Sequence, residues 1–394
     1  MASSGSARQS ALKVAHVMTS ANTLVFVTDH IRFLSGVGIA YHVYANFTNA
    51  RYDVGDSSTY HHVPFARRLL SLGDLLAALT LLRGLRALRP DTIIVSTPKA
   101  ALFGSLVALT VPSARRILLV RGYRFPTLTG WRHLVVKAME VLPAFLVHEI
   151  LASSKESANT MREMLPKVLG KRVGVTLNGS ANGIDTQHRF SPDRTDLEPR
   201  DALRARFGLE SDDTVLLFSG RVCTDKGIGD LLSAFERIQM GRPKVKLLVA
   251  GRDDPTDPLP GEIKRRLNST AIRAGFVDIE DIPALYRAAD LLVFPSHREG
   301  FGVAAVEAAA MGTPVVASRV GGLQSAVREG VTGEFFDVRD SADLARVVEG
   351  LLDDPNRVAK LSASCRPYAV AQFDQSHYDM FWLAKYRSRA KGEV

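Results

Sequence analysis

Two glutamates separated by seven residues, Glu299 and Glu307, stand in the segment of this chain with the most chemical content. A glycine-rich turn, residues 300–302, follows the first glutamate, and an alanine-rich stretch that we expect to be helical carries the second. An apolar strand-like run that ends at proline, residues 290–295, comes before both. In open α/β sheets, ligands bind where strands end and helices begin, and a helix N-terminus favours an anionic group. The pattern therefore predicts a ligand site with Glu299 in the loop and Glu307 about one turn into the helix.

A pair of basic residues, Arg221 and Lys226, occupies a second loop of the same kind. The loop follows a short β-branched and apolar run, residues 214–220, and precedes an amphipathic helix that begins near Asp230. A diphosphate needs compact positive charge held in place, which an Arg/Lys pair in a glycine-flanked loop supplies. Taken alone, the two basic residues could be exposed charges in a turn, just as two glutamates alone could be solvated charges on a helix face.

Four segments together resemble the family-4 retaining glycosyltransferases of the GT-B fold. They are the E-x7-E segment, the G-R-x4-K-G loop, residues 275–296, and the turn-rich linker at 177–190. The resemblance covers nearly the whole chain and is densest from 177 to 322. It implies that Glu299 lies against the donor sugar and that Glu307 binds the ribose hydroxyls. It also implies that Phe276 and Val277 lie where the nucleobase binds. The donor-binding residues that it implies are Gly220, Arg221, Lys226, Phe276, Val277, Glu299, Gly300, Phe301, Gly302 and Glu307.

The resemblance also implies a reaction. A sugar would pass from a nucleotide diphosphate sugar, with UDP as the expected nucleotide, to an acceptor hydroxyl with retention of anomeric configuration. The expected acceptor is a glycan, such as a lipid-linked or cell-surface glycan precursor, a lipid-linked sugar or a small molecule. The implied catalytic residues are Glu299, Arg221 and Lys226; the two basic side chains stabilise the leaving diphosphate in place of a metal ion. No metal, cofactor or dedicated protein nucleophile is expected. Two alternatives stay open: a nucleotide-sugar epimerase or phosphorylase on the same fold, and a non-catalytic nucleotide-sugar-binding protein.

The acceptor side is expected in the N-terminal half. Residues 93–105 and 115–125 look like the acceptor-side segments of a subgroup that builds bacterial polysaccharides. Asn22 in the first loop, together with Lys99, Arg121 and Arg124, is the candidate set, and the three basic residues would meet an acceptor phosphate or be simple surface charges. The first loop lacks the glycines of relatives, and no G-x-G-x-x-G is present, so a dinucleotide cofactor is not expected.

The fold class predicted is α/β, with two Rossmann-like lobes whose parallel sheets face each other across an interdomain cleft. Strands expected in the second half alternate with helical patterns, which indicates a parallel sheet covered on both faces. They are residues 214–219, 245–250, 272–276, 291–294, 314–318 and 334–336. The domains predicted are 1–187 on the acceptor side, with 1–12 disordered, 198–375 on the donor side, and a final segment, 376–394, whose helix packs back on the N-terminal domain.

The net charge and the cysteine content limit which partners and which cellular compartment are expected. The formal net charge is +9, and basic residues such as Arg67 and Arg68 concentrate in the N-terminal half beside apolar helical stretches. Such a surface favours an anionic lipid, or a lipid-linked or other anionic acceptor, although it could equally serve solubility and attract the nucleotide donor. No nucleic-acid-binding signature is visible. Two distant cysteines and a short polar N-terminus predict a cytoplasmic protein. The basic, apolar N-terminal half predicts that it is peripheral at the inner face of the membrane.

Overall fold

The computed structural model describes residues 11–48, 60–66, 71–180 and 182–388, without the side chains of Asn22, Val25 and Phe26. Arg67 and Arg68, together with most of the predicted disordered segment 1–12, lie outside the described residues. The chain forms two compact units. The first comprises residues 1–153, 157–176 and 379–394, and the second comprises residues 154–156 and 177–378.

The first unit contains a parallel sheet of seven strands in the order β3-β2-β1-β4-β5-β6-β7. Its strands are β1 (Lys13–Ser20), β2 (Ala40–Asn46), β3 (Tyr60–His62), β4 (Thr92–Ser96), β5 (Arg115–Val120), β6 (Glu149–Ala152) and β7 (Val173–Val175). Its helices are α1 (Thr28–Gly36), α2 (Gly73–Leu88), α3 (Pro98–Ala108), α4 (Gly130–Val141), α5 (Lys155–Met164) and α6 (Lys167–Gly170). Strand β4 is buried along its whole length, as expected for a parallel strand with both faces covered.

The second unit contains a parallel sheet of six strands in the order β10-β9-β8-β11-β12-β13. Its strands are β8 (Thr214–Ser219), β9 (Val245–Ala250), β10 (Ile272–Gly275), β11 (Leu291–Phe294), β12 (Val315–Ser318) and β13 (Gly333–Phe336). The remaining helices are α7 (Arg200–Arg206), α8 (Ile228–Gly241), α9 (Gly261–Thr270), α10 (Ile282–Ala288), α11 (Val303–Ala310), α12 (Gly321–Ala326), α13 (Ser341–Leu352), α14 (Pro355–Phe373) and α15 (Gln375–Ser388). The predicted pair of Rossmann-like parallel sheets is confirmed.

Each sheet has one point at which its strand order reverses. In the first sheet this point lies between β1 and β4, and in the second it lies between β8 and β11. Loops at the carboxyl ends of such neighbouring strands diverge to opposite sides and leave a crevice where ligands bind. The two predicted donor loops follow β8 and β11, so the topology brings them to one place.

The segments that join the units differ from simple linkers. Residues 177–190 belong to the second unit, where Ile184 and Phe190 are buried in its core and Ile184 pairs with Asp374 in a short β-bridge. Helix α15 begins in the second unit, and its residues from Asp379 onward belong to the first. There Trp382 is fully buried, as an aromatic core residue would be.

Candidate active site

Glycines allow the loops after β8, β9 and β11 to touch through their backbones. Gly227 starts α8 with φ +69°, and a Cβ atom there would lie 2.0 Å from the carbonyl oxygen of Pro295. Gly251 has φ +142°, and a Cβ atom there would lie 1.7 Å from the carbonyl oxygen of Gly220. No other residue fits such approaches, because real Cβ atoms do not come within 3.0 Å of another heavy atom. The loops at the switch point of the second sheet are therefore fixed against one another.

Lys226 and Glu299 form an ion pair across this junction. The Lys226 ammonium donates to the Glu299 carboxylate, and the two side chains are only 12% and 18% exposed. Ser296 also donates to this carboxylate, with 3.4 Å between its Oγ and Oε2. Two groups that are 73 residues apart in the chain thus meet at the carboxyl ends of β8 and β11. The structure brings together two of the three residues that the sequence predicts to be catalytic.

The Arg221 guanidinium is held by one carboxylate and is otherwise largely exposed to solvent. Its Nη1 donates to Asp254, which lies after β9 and is 9% exposed, while the Arg221 side chain itself is 60% exposed. Burial opposes ionisation of Asp254, but hydrogen bonds from Thr256 and Arg221 outweigh it and hold the pKa of this carboxyl below its usual range. An ionised Asp254 orients the guanidinium and leaves other N–H donors for an anion. Sequence reasoning missed Asp254; its place just after a strand end was the available signal.

Glu307 lies in the second turn of α11 and is held by a tyrosine. The buried Tyr286 on α10 donates a hydrogen bond from its hydroxyl to Glu307 Oε2 at 2.9 Å. Burial raises the pKa of Glu307 to about 7, against smaller lowering effects from the Tyr286 hydrogen bond and the positive charge of Arg189. The carboxyl group therefore titrates near neutral pH, which is a property often found at functional sites.

The glycine turn between the two glutamates is packed tightly. Gly302 begins α11 with φ +91°, and a Cβ atom there would lie 2.4 Å from Leu323. A Cβ atom on Gly322 would lie 2.1 Å from the carbonyl oxygen of Glu299. The Phe301 side chain is buried in the core, so only its backbone can meet a ligand. The first amides of α11 lack helical partners and suit an anion; their contact with a donor, like that of Gly300, stays a prediction.

A second set of side-chain contacts joins the Glu299 loop to the Lys226 loop and to the start of α8. His297 Nε2 and Asp230 Oδ2 lie 2.6 Å apart, and Arg298 donates to Asp225 at 3.1 Å. The His297 amide also donates to the carbonyl oxygen of Asp225 at 2.9 Å. His297 and Arg298 directly precede Glu299 in the sequence, but no local pattern indicated these partners. These contacts hold the Lys226 loop and the Glu299 loop together, so we assign them to positioning.

The region predicted for the nucleobase presents a flat surface. The Phe276 side chain is 49% exposed, and the guanidinium carbon of Arg252 lies 3.6 Å from the centre of its ring. Val277 is partly buried against the core. An exposed aromatic ring stacked with a guanidinium offers planar, polarisable faces at the ends of β9 and β10. Arg252 was not among the residues predicted from the sequence.

Residues 199–370 match the family model of glycosyl transferases group 1. These residues are a group 1 glycosyltransferase domain. The match covers the whole β8–β13 sheet and both predicted donor loops, so the predicted family resemblance and enzyme class are confirmed.

Relatives of this glycosyltransferase extend over most of the chain. The capsular polysaccharide biosynthesis glycosyltransferase CapM of Staphylococcus aureus is 28% identical over 87% of this chain and 88% of its own length. A D-inositol 3-phosphate glycosyltransferase of Thermobispora bispora is 40% identical over 44% of this chain. The chain spans 42% of the length of that relative, because the match is confined to part of each protein.

Solved structures share the two-unit fold. A sucrose-phosphate synthase from Thermosynechococcus elongatus matches 97% of this chain with a TM-score of 0.80 and 19% identity. HepE from Anabaena, solved with UDP and glucose, matches 96% of this chain with a TM-score of 0.75 and 20% identity. Both structures are fully covered by the match. At these identities the likeness shows the GT-B fold and no more.

The predicted acceptor residues of the glycosyltransferase have different surroundings. The Lys99 ammonium is buried and paired with Asp74, with 2.9 Å to Oδ2, and it also donates to the carbonyl oxygen of Ala66 at 2.8 Å. Its charge is neutralised inside the first unit, so the structure supports neither an acceptor-phosphate role nor a surface charge for Lys99. The Arg124 side chain is exposed. The side chain of Asn22 lies outside the described residues.

Arg121 follows β5 and lies near a buried histidine. His16 is held between the Tyr41 hydroxyl and the Ser96 hydroxyl, each at 2.8 Å. Burial chiefly, and then the positive charge of Arg121, hold the pKa of His16 well below its usual value. Next to Ser96, Thr97 has φ +66°, which is a strained conformation for a β-branched residue and is common at functional sites. Sequence reasoning missed this polar cluster at the switch point of the first sheet.

Two properties of the described residues bear on possible partners. Within the described ranges, no group of three or more His, Cys, Asp or Glu side chains is arranged to hold a metal ion. In the same part of the chain, no helix is both long enough and apolar enough to cross a bilayer.

Proposed function

We propose that this glycosyltransferase moves a sugar from a nucleotide diphosphate sugar, with UDP as the nucleotide, to an acceptor hydroxyl with retention of anomeric configuration. The observation that carries the proposal is the Lys226–Glu299 ion pair at the switch point between β8 and β11. It joins a cation suited to a diphosphate with a carboxylate suited to sugar hydroxyls, in the crevice where such sheets bind ligands.

The pair also provides a way to receive the donor. A bound diphosphate would compete with Glu299 for the Lys226 ammonium, and Arg221 would add a second cation from its exposed side. Negative charge grows on the leaving diphosphate as the glycosidic bond breaks, so both cations bind the transition state more tightly than the ground state. The released Glu299 carboxylate would then accept from sugar hydroxyls and support the positive charge that develops on the sugar.

Glu307 and the Arg252–Phe276 stack would bind the nucleoside. The Glu307 carboxylate is held in place by Tyr286 and would accept hydrogen bonds from the ribose hydroxyls. The stacked ring of Phe276 would contact the base. HepE, which shares the fold, has been solved with UDP-glucose, and this supports a UDP-sugar as the donor.

The acceptor class follows from the relatives and the charge of the chain. CapM acts in capsular polysaccharide biosynthesis by its name, and this chain matches it over nearly its whole length. The net charge of +9 suits an acceptor that is anionic, such as a lipid-linked precursor that carries phosphate. We propose a glycan precursor as the acceptor, met by a cytoplasmic enzyme that is peripheral at the inner face of the membrane.

The test is product analysis by NMR spectroscopy with a panel of UDP-, GDP- and ADP-sugars. Each donor is incubated alone, and then with lipid-linked and free glycan acceptors. We expect one UDP-sugar to release UDP only when an acceptor is present, and to give a product with the anomeric configuration of the donor. Conversion of the donor to its epimer without acceptor would instead make the protein an epimerase. An inverted product would contradict retention.

The matched variants are Lys226→Ala and Arg237→Ala. Both remove a basic side chain from the loop–helix segment after β8, but Arg237 lies on the exposed part of α8 away from the Glu299 loop. We expect transfer to be lost in the first variant and kept in the second. Equal loss in both would show a general charge effect rather than a site.

A further inference from the structure

Helix α2 of the first unit has an apolar face with no partner in the described structure. Leu72 directly precedes the helix, and together with Leu75, Leu76 and Leu79 it follows the spacing of one helical face. These four side chains are between 49% and 86% exposed, whereas Leu81 and other residues of the opposite face are fully buried. Exposed leucines are ordinary one at a time, but a contiguous stripe marks an interaction surface.

The neighbouring helices continue the apolar surface. Helix α3 packs against both α2 and α4. Exposed on α3 and just after it are Leu106 and Leu109, and exposed on α4 are Trp131 and Leu134. The turn that follows α4 adds two more exposed apolar side chains, Leu142 and Phe145. We call the exposed side of α2, α3 and α4, with these residues, the docking face.

The exposed charged side chains of the docking face are all positive. Arg83 and Arg86 are exposed on α2, and Arg132 and Lys137 are exposed on α4. Every residue of α2, α3 and α4 is described, and their two carboxylates are both buried. One of these, Asp74, is paired with Lys99 as described above, and the other, on α4, accepts from the Arg124 amide at 2.8 Å. The exposed surface of the three helices therefore carries cations among apolar side chains and no carboxylate.

We propose that the docking face binds the interface of a bilayer that contains anionic phospholipids. Helices with leucine and tryptophan on one face and arginine and lysine beside them lie in the plane of such interfaces. Tryptophan and arginine are suited to the headgroup level, where Trp131 and the guanidinium of Arg132, 5.7 Å from the ring centre, would lie. Lysine is unfavourable at the core of a protein–protein interface, and two surfaces that carry only positive charges repel each other. Both facts argue against a second copy of this chain as the partner.

This proposal rests on the proposed function, because it gives the enzyme a route to a lipid-linked acceptor. It goes beyond the attraction of scattered basic residues, since it assigns the contact to three named helices and gives it an apolar component. The apolar component resists salt, whereas a purely electrostatic contact is screened within a Debye length of about 3 Å at 1 M ionic strength.

The first measurement is co-sedimentation of the full chain with vesicles of phosphatidylcholine, with and without phosphatidylglycerol. We expect binding to the anionic vesicles, and the double variant Leu75→Gln/Leu76→Gln should lower the partition coefficient about tenfold or more. Arg83→Glu/Arg86→Glu should lower it on anionic vesicles alone. Met240→Gln is the matched control, because Met240 is 84% exposed on α8 of the second unit, and it should bind as wild type does.

A second measurement uses the two tryptophans of the chain. Trp131 is 64% exposed and Trp382 is buried, so a membrane contact at the docking face should move the emission of Trp131 to shorter wavelength and allow its quenching by brominated lipids. Trp131→Phe should remove both signals while the protein still sediments with the vesicles. This readout reports the location of contact and does not depend on the leucine variants.

Three outcomes would overturn the proposal. They are wild-type protein that stays in the supernatant with anionic vesicles at low salt, leucine variants that bind as the control does, and Trp131 emission that vesicles leave unchanged. A dimer in solution that the leucine variants dissociate, without vesicle binding, would assign the face to a second copy. Calorimetric titration of UDP into the same samples distinguishes failure of the docking-face proposal from failure of the proposed function. Retained UDP binding with lost vesicle binding rejects only the docking face.

Discussion

The hydroxyl of Tyr286 lies 2.9 Å from Oε2 of Glu307 and donates a hydrogen bond to it from a buried position. This contact joins α10 to α11 and fixes the carboxyl group that is expected to meet the ribose. Because burial raises the pKa of Glu307 to about 7, the protonation of this site changes within the physiological range.

UDP affinity should therefore depend on pH through Glu307. The carboxylate accepts ribose hydroxyl protons better than the neutral acid does, so we expect affinity to rise between pH 6 and pH 8, around the pKa of about 7. Calorimetric titration of UDP over this range measures it. Glu307→Gln should remove that part of the pH dependence, and the difference between the two proteins excludes titration of UDP itself. Parallel pH profiles would contradict this role.

The raised pKa of Glu307 also predicts how the stability of the folded protein changes with pH. Stability should fall as pH rises, whereas UDP affinity should rise. A carboxyl group whose pKa is raised by folding contributes stability that is present below its ordinary value of 4.5 and is lost as pH rises through about 7. In the absence of ligand, Glu307→Gln should gain stability over wild type as pH rises from 5 to 8, by no more than about 3 kcal/mol because the residue keeps some solvent contact. Urea unfolding at the two pH values measures this difference.

Substitutions of Glu299 and Glu307 should affect different kinetic and binding parameters. Glu299→Ala should lower kcat more than it raises KM, since we assign this carboxylate to the reacting sugar, whereas Glu307→Ala should chiefly weaken UDP binding because ribose contacts are nearly equal in ground and transition states. Steady-state rates and UDP titrations on both variants measure the split. An unchanged kcat in Glu299→Ala, with folding intact, would remove it from the reacting centre.

Alanine at Gly227 should damage stability and UDP binding, whereas alanine at Gly229 should be tolerated. Both stand near the start of α8, but Gly227 has φ +69° and faces the Pro295 carbonyl at a distance that admits no Cβ atom, while a Cβ on Gly229 would meet its nearest neighbour at 3.6 Å. Gly229→Ala should be neutral or add up to about 1 kcal/mol through helix propensity. Gly227→Ala should destabilise by more than about 1 kcal/mol and weaken UDP binding, because it must separate the two donor loops. Thermal unfolding and UDP titration measure both effects.

Arg252 should contribute to binding of the base rather than the phosphates. Loss of a stacked guanidinium removes about 1 kcal/mol, so Arg252→Ala should weaken UDP binding roughly fivefold and leave pyrophosphate binding unchanged. Arg252→Lys keeps the charge and should still weaken UDP, because an ammonium cannot stack as a plane. Equal weakening of UDP and pyrophosphate in Arg252→Ala would instead indicate a phosphate contact.

Local sequence patterns predicted most of the second unit. The strand at 245–250 was predicted at its observed bounds, and the strands predicted at 272–276 and 314–318 differ by one residue at an end. Such patterns work because burial on both faces requires continuous apolar runs, which end where glycine or proline interrupts them. The spacing of Glu299 and Glu307 likewise fixed one in the loop and the other in the helix.

Partners distant in sequence could not be predicted in this way. Asp74 neutralises Lys99 from 25 residues away, and Tyr286 holds Glu307 from 21 residues away. No local period encodes either pair, since each depends on which helices the sheet order brings side by side. For the same reason the sequence indicated basic residues beside apolar helical stretches but not which leucines of α2 are exposed, because exposure depends on what packs against the helix.

We propose that the loops after β8 and β11 bind a nucleotide diphosphate through Lys226 and Arg221. The decisive experiment is calorimetric titration of UDP into wild type, Lys226→Ala, Arg221→Ala and the control Arg237→Ala. We expect wild type and Arg237→Ala to bind UDP alike, and each of the other two to bind it roughly tenfold or more weakly, as for loss of one charge-assisted contact. UDP binding of unchanged affinity in both Lys226→Ala and Arg221→Ala would contradict it.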